Sequence, residues 1–212
     1  MRVYYSLILA ASVICSKAPI KGFTAREAVW KADMDPANSF VLHGTIQDAK
    51  AQLLSVNPSW VLSDTKEEAK KEDTEETTPR PAQLSGHVCN AIPTARTTAV
   101  EQAVKDLENS SRLQLAFPTN SGDDCVNVSC VNDARVWWCY SNLPAFHWPD
   151  SWRFFVQLTR ELLIACSDVD HPSFISGQYS TSGGHFTVIM HGEQCESMPD
   201  RIGWRIPRMA SS

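Results

Sequence analysis

Six cysteines, Cys89, Cys125, Cys130, Cys139, Cys166 and Cys195, fall within about half of this 212-residue chain and restrict its fold more than any other feature. If they are oxidised, every permitted fold must bring them together in pairs with Cα atoms less than about 7 Å apart. The seventh cysteine, Cys15, stands apart, at the end of an N-terminal apolar stretch. That stretch decides the redox question. Arg2 precedes a run of mostly apolar residues through Cys15, and Ser16, Lys17 and Pro19 close it. This is the layout of a secretory signal, and the run is too short to span a bilayer as a helix. Residues 1–18 are therefore expected to be a signal peptide, cut between Cys15 and Ala18.

In an oxidising compartment, six cysteines in about a hundred residues imply up to three disulfides rather than reactive thiols. Zinc binding would call for close ligand pairs of the Cys-x-x-Cys kind. The nearest pair here, Cys125 and Cys130, has four residues between its members. Six cysteines allow 15 pairings, and the spacing does not choose among them.

Charge narrows the partners. The chain carries 19 Lys and Arg against 24 Asp and Glu, a formal net charge of −5. Residues 85–195 hold six basic and eleven acidic side chains, again −5. A nucleic-acid binder carries a basic footprint, so phosphate backbones are disfavoured. No stretch after the signal approaches 18 apolar residues, so no membrane span is expected. No cofactor motif is read, and the chain is expected to be a monomer.

Composition divides the chain beyond the signal. Residues 19–62 contain no cysteine; Thr45-Ile46-Gln47-Asp48 can open a short helix with Ile46, Ala49 and Leu53 on one stripe. This segment is expected to be a pro-segment, a poorly ordered arm whose Phe23, Trp30 and Trp60 could cover part of the domain during folding. Residues 63–83 are charged and rich in Thr and Pro, too poor in apolar groups to offset the entropy of ordering, and read as a linker. They hold the dibasic pair Lys70-Lys71, where a processing protease is expected to cut. Residues 196–212, with Arg201, Trp204, Arg205 and Arg208, read as a frayed tail.

Residues 84–195 are expected to form the disulfide-bonded domain. A short strand leads to Cys89. Thr98-Ala99-Val100-Glu101 has capping-box spacing and opens a helix with Val100, Ala103, Val104 and Leu107 on one stripe. Residues 125–130 and 135–140 read as a hairpin about Asn132-Asp133, with Val126, Val128 and Cys130 on one face. A second helix over 150–166 presents Trp152, Phe155, Val156, Thr159, Leu162, Leu163 and Cys166 to the core. Residues 174–179 and 185–191 read as a closing hairpin. The expected class is α+β, a small disulfide-bonded antiparallel sheet in βαββαββ order with both helices packed on one face.

Candidate chemistry is sparse. His185 and His191 fall on the side of their strand opposite Phe186, Val188 and Met190, which is expected to face solvent. Paired with His87 or Glu193 they are the weak catalytic candidates for a small secreted hydrolase such as a ribonuclease. Six residues of strand separate the two histidines by about 20 Å, too far to serve one scissile bond. Asp123-Asp124 and Asp168-x-Asp170 read as solvated loop carboxylates rather than a metal site. Asn109-Ser110-Ser111 and Asn127-Val128-Ser129 meet the N-glycosylation rule. The expected partner-binding surface is aromatic. Trp137 and Trp138 must point to opposite faces of their strand, and the outward one would adjoin the loop of Phe146, His147 and Trp148.

Taken together, Asp124-Cys125, Val128-Ser129-Cys130, Trp137-Trp138-Cys139-Tyr140-Ser141-Asn142, a helix ending at Cys166, Ser176-Gly177-Gln178-Tyr179 and a last strand before Cys195 resemble small cysteine-rich secreted proteins of filamentous fungi. The resemblance covers residues 86–195; the Tyr-Ser-Asn after Cys139 and the lack of two further cysteines depart from it. It implies a layout similar to the α/β sandwich of fungal killer toxins. It also implies a virulence effector or toxin that acts by binding a host, in most cases a plant, or a competitor component. The localisation it implies is extracellular, extending to translocation into host cells.

Overall fold

A two-residue turn sets the centre of the sheet. In this computed structural model, which describes residues 17–35, 38–58, 86–110, 113–116, 122–141, 151–167, 172–181 and 186–195, Asn132 and Asp133 both adopt positive φ, 46° and 64°. Two consecutive left-handed residues match the twist of a tight hairpin, and Asn and Asp tolerate that conformation better than most. The turn joins β7 (Asp124–Val131) to β8 (Ala134–Tyr140). Beside β8 runs β11 (Phe186–Gly192), antiparallel, then β10 (Gly177–Ser180) and the short edge strand β4 (His87–Cys89).

The hairpin departs from strict alternation at one point. Asn127 pairs with Trp137 but Ser129 pairs with Val136, so Val128 is the extra residue of a β-bulge. A bulge shifts every later side chain to the other face. Ser129 consequently turns toward the helices, where Gln47 donates to its hydroxyl at 2.9 Å. Cys130 leaves the face of Val126 and lies opposite Arg135, and there it reaches Cys195. The three bridges are Cys89–Cys166, Cys125–Cys139 and Cys130–Cys195.

Helices α2 (Thr97–Glu108) and α3 (Ser151–Ser167) supply the apolar stripes that their periodicity calls for. Val100, Ala103, Val104 and Leu107 of α2 are buried with Phe155, Leu158, Leu162 and Cys166 of α3. Both meet Val126, Val136, Trp138, Val188 and Met190 of the sheet in one cluster. Trp138 stacks on Phe155 with ring centroids 4.2 Å apart. Gly177 permits this approach: a Cβ there would stand 2.9 Å from the Cys166 sulfur.

The start of α2 differs from the capping-box expectation. Arg96 is the N-cap and no side chain caps the helix. Thr97 instead donates its amide to the Ser173 carbonyl at 3.0 Å and its hydroxyl to that of Pro172. These bonds accompany a two-stranded ribbon of β5 (Ala95–Arg96) with β9 (Phe174–Ile175). The expected strand over 174–179 is thus broken at Ser176, whose hydroxyl bonds the Ile92 carbonyl at 2.8 Å.

Residues 19–62 depart most from expectation. Instead of a poorly ordered arm, they supply β1 (Thr24–Glu27), β2 (Val29–Asp35), β3 (Asn38–His43) and α1 (Ile46–Val56). Strand β1 runs parallel to β7 at the edge of the six-stranded sheet. Strand β2 lies between β3 and β6 (Leu113–Leu115) in a second, three-stranded sheet. Trp30, Ile46, Ala49 and Leu53 are fully buried in the same cluster as α2 and α3. The local signal is weak because β1 and β2 are completed by partners far along the chain.

The class is mixed α+β with three disulfides. Among the described residues there are three helices, three sheets and one parallel pairing; to the elements expected over residues 84–195 the chain adds β5, β6 and β9 there, and β1, β2, β3 and α1 from the segment before them. Residues 1–16, the linker with Lys70 and Lys71, and the tail lie outside the described residues. No described helix is long and apolar enough to cross a membrane.

Candidate binding cleft

The expected tryptophan surface is not a surface. Trp138 lies in the main core, and its indole N–H donates to Thr159 at 3.4 Å. Trp137 does point to the opposite face, yet it is 0% exposed. Residues near the N-terminus close over it: Ala18, Ile20, Phe23 and Ala25, with Ile92, pack against Trp137, Ile189, Cys125 and Cys139. A second small core therefore fills the face that the sequence reading left to solvent. Phe146, His147 and Trp148 lie outside the described residues.

Burial also corrects the histidine expectation. His191 shares the Trp137 face but is only 8% exposed. Its Nε2 is 3.4 Å from a Glu193 carboxylate oxygen, and the buried Arg135 guanidinium reaches that oxygen at 3.7 Å. Arg135 also donates through Nε to the Gln194 carbonyl at 3.1 Å and lies over the Trp137 ring. Burial pushes the His191 pKa below its ordinary value, and Arg135 adds to this, against the pull of Glu193. An imidazole this buried, held against Glu193, is not the solvent-facing side chain expected there. His185 lies outside the described residues, and His87 is on the opposite edge strand, β4.

On the opposite face of the sheet, that of Val126 and Trp138, Asp124 is 2% exposed and accepts from Arg26 Nε at 3.1 Å. Tyr140 sits beside it, its phenol pushed well above the ordinary range by burial and then by the Asp124 charge. The Asp123-Asp124 pair is thereby split, with Asp123 exposed and Asp124 engaged. Among the described residues no group of three His, Cys, Asp or Glu could hold a metal ion.

The two sequons also part. Asn109 is exposed at the C-cap of α2. Asn127 is half-buried and its side-chain oxygen fully so, while Ser129 is spent on Gln47.

An open cleft of about 720 Å³ lies where α2 begins and α3 ends. Arg96, Thr97, Thr98 and Glu101 form one wall, and Ser167, Pro172, Ser173 and Phe174 the other. Phe174 is 54% exposed, a large apolar ring beside a guanidinium, hydroxyls and one carboxylate. Among the described residues the lining contains no imidazole or thiol. Such a mixture can grip a peptide or another mixed polar and apolar surface, with an aromatic anchor at its edge. Its walls are well held: Ser167 follows the bridged Cys166, and Phe174 is locked by the β5–β9 pairing. Sequence reasoning missed this site because a two-residue strand has no readable period, and Phe174 was absorbed into a longer strand.

Comparison of the chain with protein-family models, curated proteins and solved structures finds no match.

Proposed function

We propose that this is a secreted effector or toxin-like protein that binds a component of a host, by the resemblance a plant, or of a competing microbe, and that the cleft between Arg96 and Phe174 is its binding surface. The observation that carries the reading is the exposed Phe174 ring in a concave, disulfide-anchored site. Support comes from the export signal in the sequence, from six cysteines fully engaged as scaffold and from the resemblance of residues 86–195 to cysteine-rich fungal secreted proteins. Asn109 is the sequon we assign to glycosylation, and Lys70-Lys71 the processing point.

The test is a double variant, Arg96→Ala with Phe174→Ala, compared with His191→Ala. Each purified protein is applied to leaf tissue and to lawns of competing fungi, with thermal unfolding as the control. The cleft variant is expected to lose at least tenfold in potency with its fold intact, and His191→Ala to keep its potency. Full potency of the cleft variant, or loss confined to His191→Ala in a folded protein, would overturn the proposal and favour the hydrolase alternative.

A further inference from the structure

The N-terminal elements are held to the rest of the chain in an unusual way. All three bridges join residues between Cys89 and Cys195, and the remaining cysteine is Cys15. No disulfide therefore ties residues 17–58 to residues 86–195; their covalent link is residues 59–85. We propose that residues 17–58 are a permanent, non-covalently held second chain of the particle after any cut between positions 58 and 86, not a segment that departs. This stands independently of the cleft reading.

The seam runs through one core. Trp30, Ile46, Ala49 and Leu53 on one side share a cluster with Val100, Val104, Leu107, Leu113, Val126 and Val128 on the other. Interfaces of this kind, a domain core cut in two, belong to obligate partners. Backbone pairing crosses the seam twice. Strand β1 pairs with β7 over Thr24 to Glu27, and β2 pairs with β6 over Trp30 to Ala32. In its sheet β6 has β2 as its strand neighbour, so loss of the segment would strip the ladder from β6.

Polar side chains complete the crossing. Gln47 of α1 donates to Asp106 at 2.8 Å and to Ser129 at 2.9 Å, and its oxygen accepts from the Cys130 amide at 3.2 Å. One side chain thereby fastens α1 to α2 and to the bulge of β7. Lys50 donates to the Asp106 carbonyl at 3.2 Å, and Arg26 pairs with Asp124. Departure would leave the buried Asp124 carboxylate without its cation and the Leu107, Leu113 and Val128 side chains facing water. Both consequences oppose release. The groove on residues 86–195 thus fits one occupant, the chain's own Thr24–Val56 segment.

The test uses the full chain with a recognition sequence for a site-specific protease inserted between Lys70 and Lys71. The folded protein is cut and examined by native size exclusion with mass detection at about 1 µM, where only sub-micromolar partners stay together. It is then examined in denaturant without reductant. The expected result is a single native particle containing both fragments, which separate in denaturant before any reduction. A Gln47→Ala version of the cut particle is expected to release the small fragment about tenfold faster, a change that leaves the core untouched. Separate elution under native conditions would overturn the proposal, as would resistance of the folded protein to cutting or co-migration in denaturant without reductant.

Discussion

At the residue scale, the second small core rests on Trp137. Its ring is fully buried, and among the described residues its indole N–H has no hydrogen-bond partner. An unpaired buried donor costs stability that the rest of the ring must outweigh. Trp137→Phe removes that donor while keeping most of the apolar volume, so it is expected to change the unfolding free energy by under about 1.5 kcal/mol. Trp137→Ala empties the site and is expected to cost about 3–5 kcal/mol in denaturant unfolding. Equal effects would mean that the ring is not packed as described. His191 brings a pH dependence. Its folded pKa lies below its ordinary value, so between the two values the unfolded chain binds more protons. Stability is therefore greatest above the unfolded pKa of about 6.5 and falls as pH drops through and below it. The groups facing the ring are Arg135 and Glu193. Unfolding free energies measured from pH 8 to 5 should decline, and His191→Asn should flatten that slope; an unchanged slope would remove His191 as its source.

At the element scale, the bridges contribute unequally. Cys89–Cys166 spans 77 residues and ties the edge strand β4 to α3, whereas Cys125–Cys139 spans 14 within a hairpin already closed by its own turn. Loop entropy alone assigns about 4–5 kcal/mol to the first and about 3 to the second. Replacing Cys89 and Cys166 by Ser should lower the thermal midpoint more than replacing Cys125 and Cys139; the reverse order would contradict the entropic account. The elements legible in the sequence are those with local signals. Val100, Ala103, Val104 and Leu107 announce α2, Phe155, Leu162 and Cys166 announce α3, and Asn132-Asp133 announces the turn. Of the elements that were missed, β1 and β6 are held by distant partners, whereas β2 and β3 pair with each other as neighbours. Strand β1 is a strand because β7, some 100 residues on, accepts it in parallel. The bulge at Val128 lies beside Ser129 and Cys130, which Gln47 of α1 engages, and the break at Ser176 lies where its hydroxyl turns to the Ile92 carbonyl. No local pattern reports such events.

At the scale of the whole molecule, the N-terminal region changes meaning. Read locally it is an appendage with no cysteine; folded, it closes the Trp137 face, completes the six-stranded sheet and adds a second one. The candidate site changes with it. Trp138 is core beneath α3, Trp137 became core because this segment covers it, and an exposed aromatic, Phe174, stands instead at a cleft assembled from residues 96–101 and 167–174. Cysteines distributed over residues 89–195 hold that cleft's walls but leave the N-terminal elements to packing and hydrogen bonds.

The central claim is an exported particle with three bridges that keeps its N-terminal elements. The most direct measurement is the intact mass of the protein recovered from culture medium, taken in denaturant before and after reduction. The account predicts an N-terminus between Ser16 and Ala18, residues 18–58 present whether or not the chain is cut, and a gain of six hydrogens on reduction, two for each of the three bridges. An unchanged mass on reduction, or recovered protein lacking residues 18–58, would contradict it.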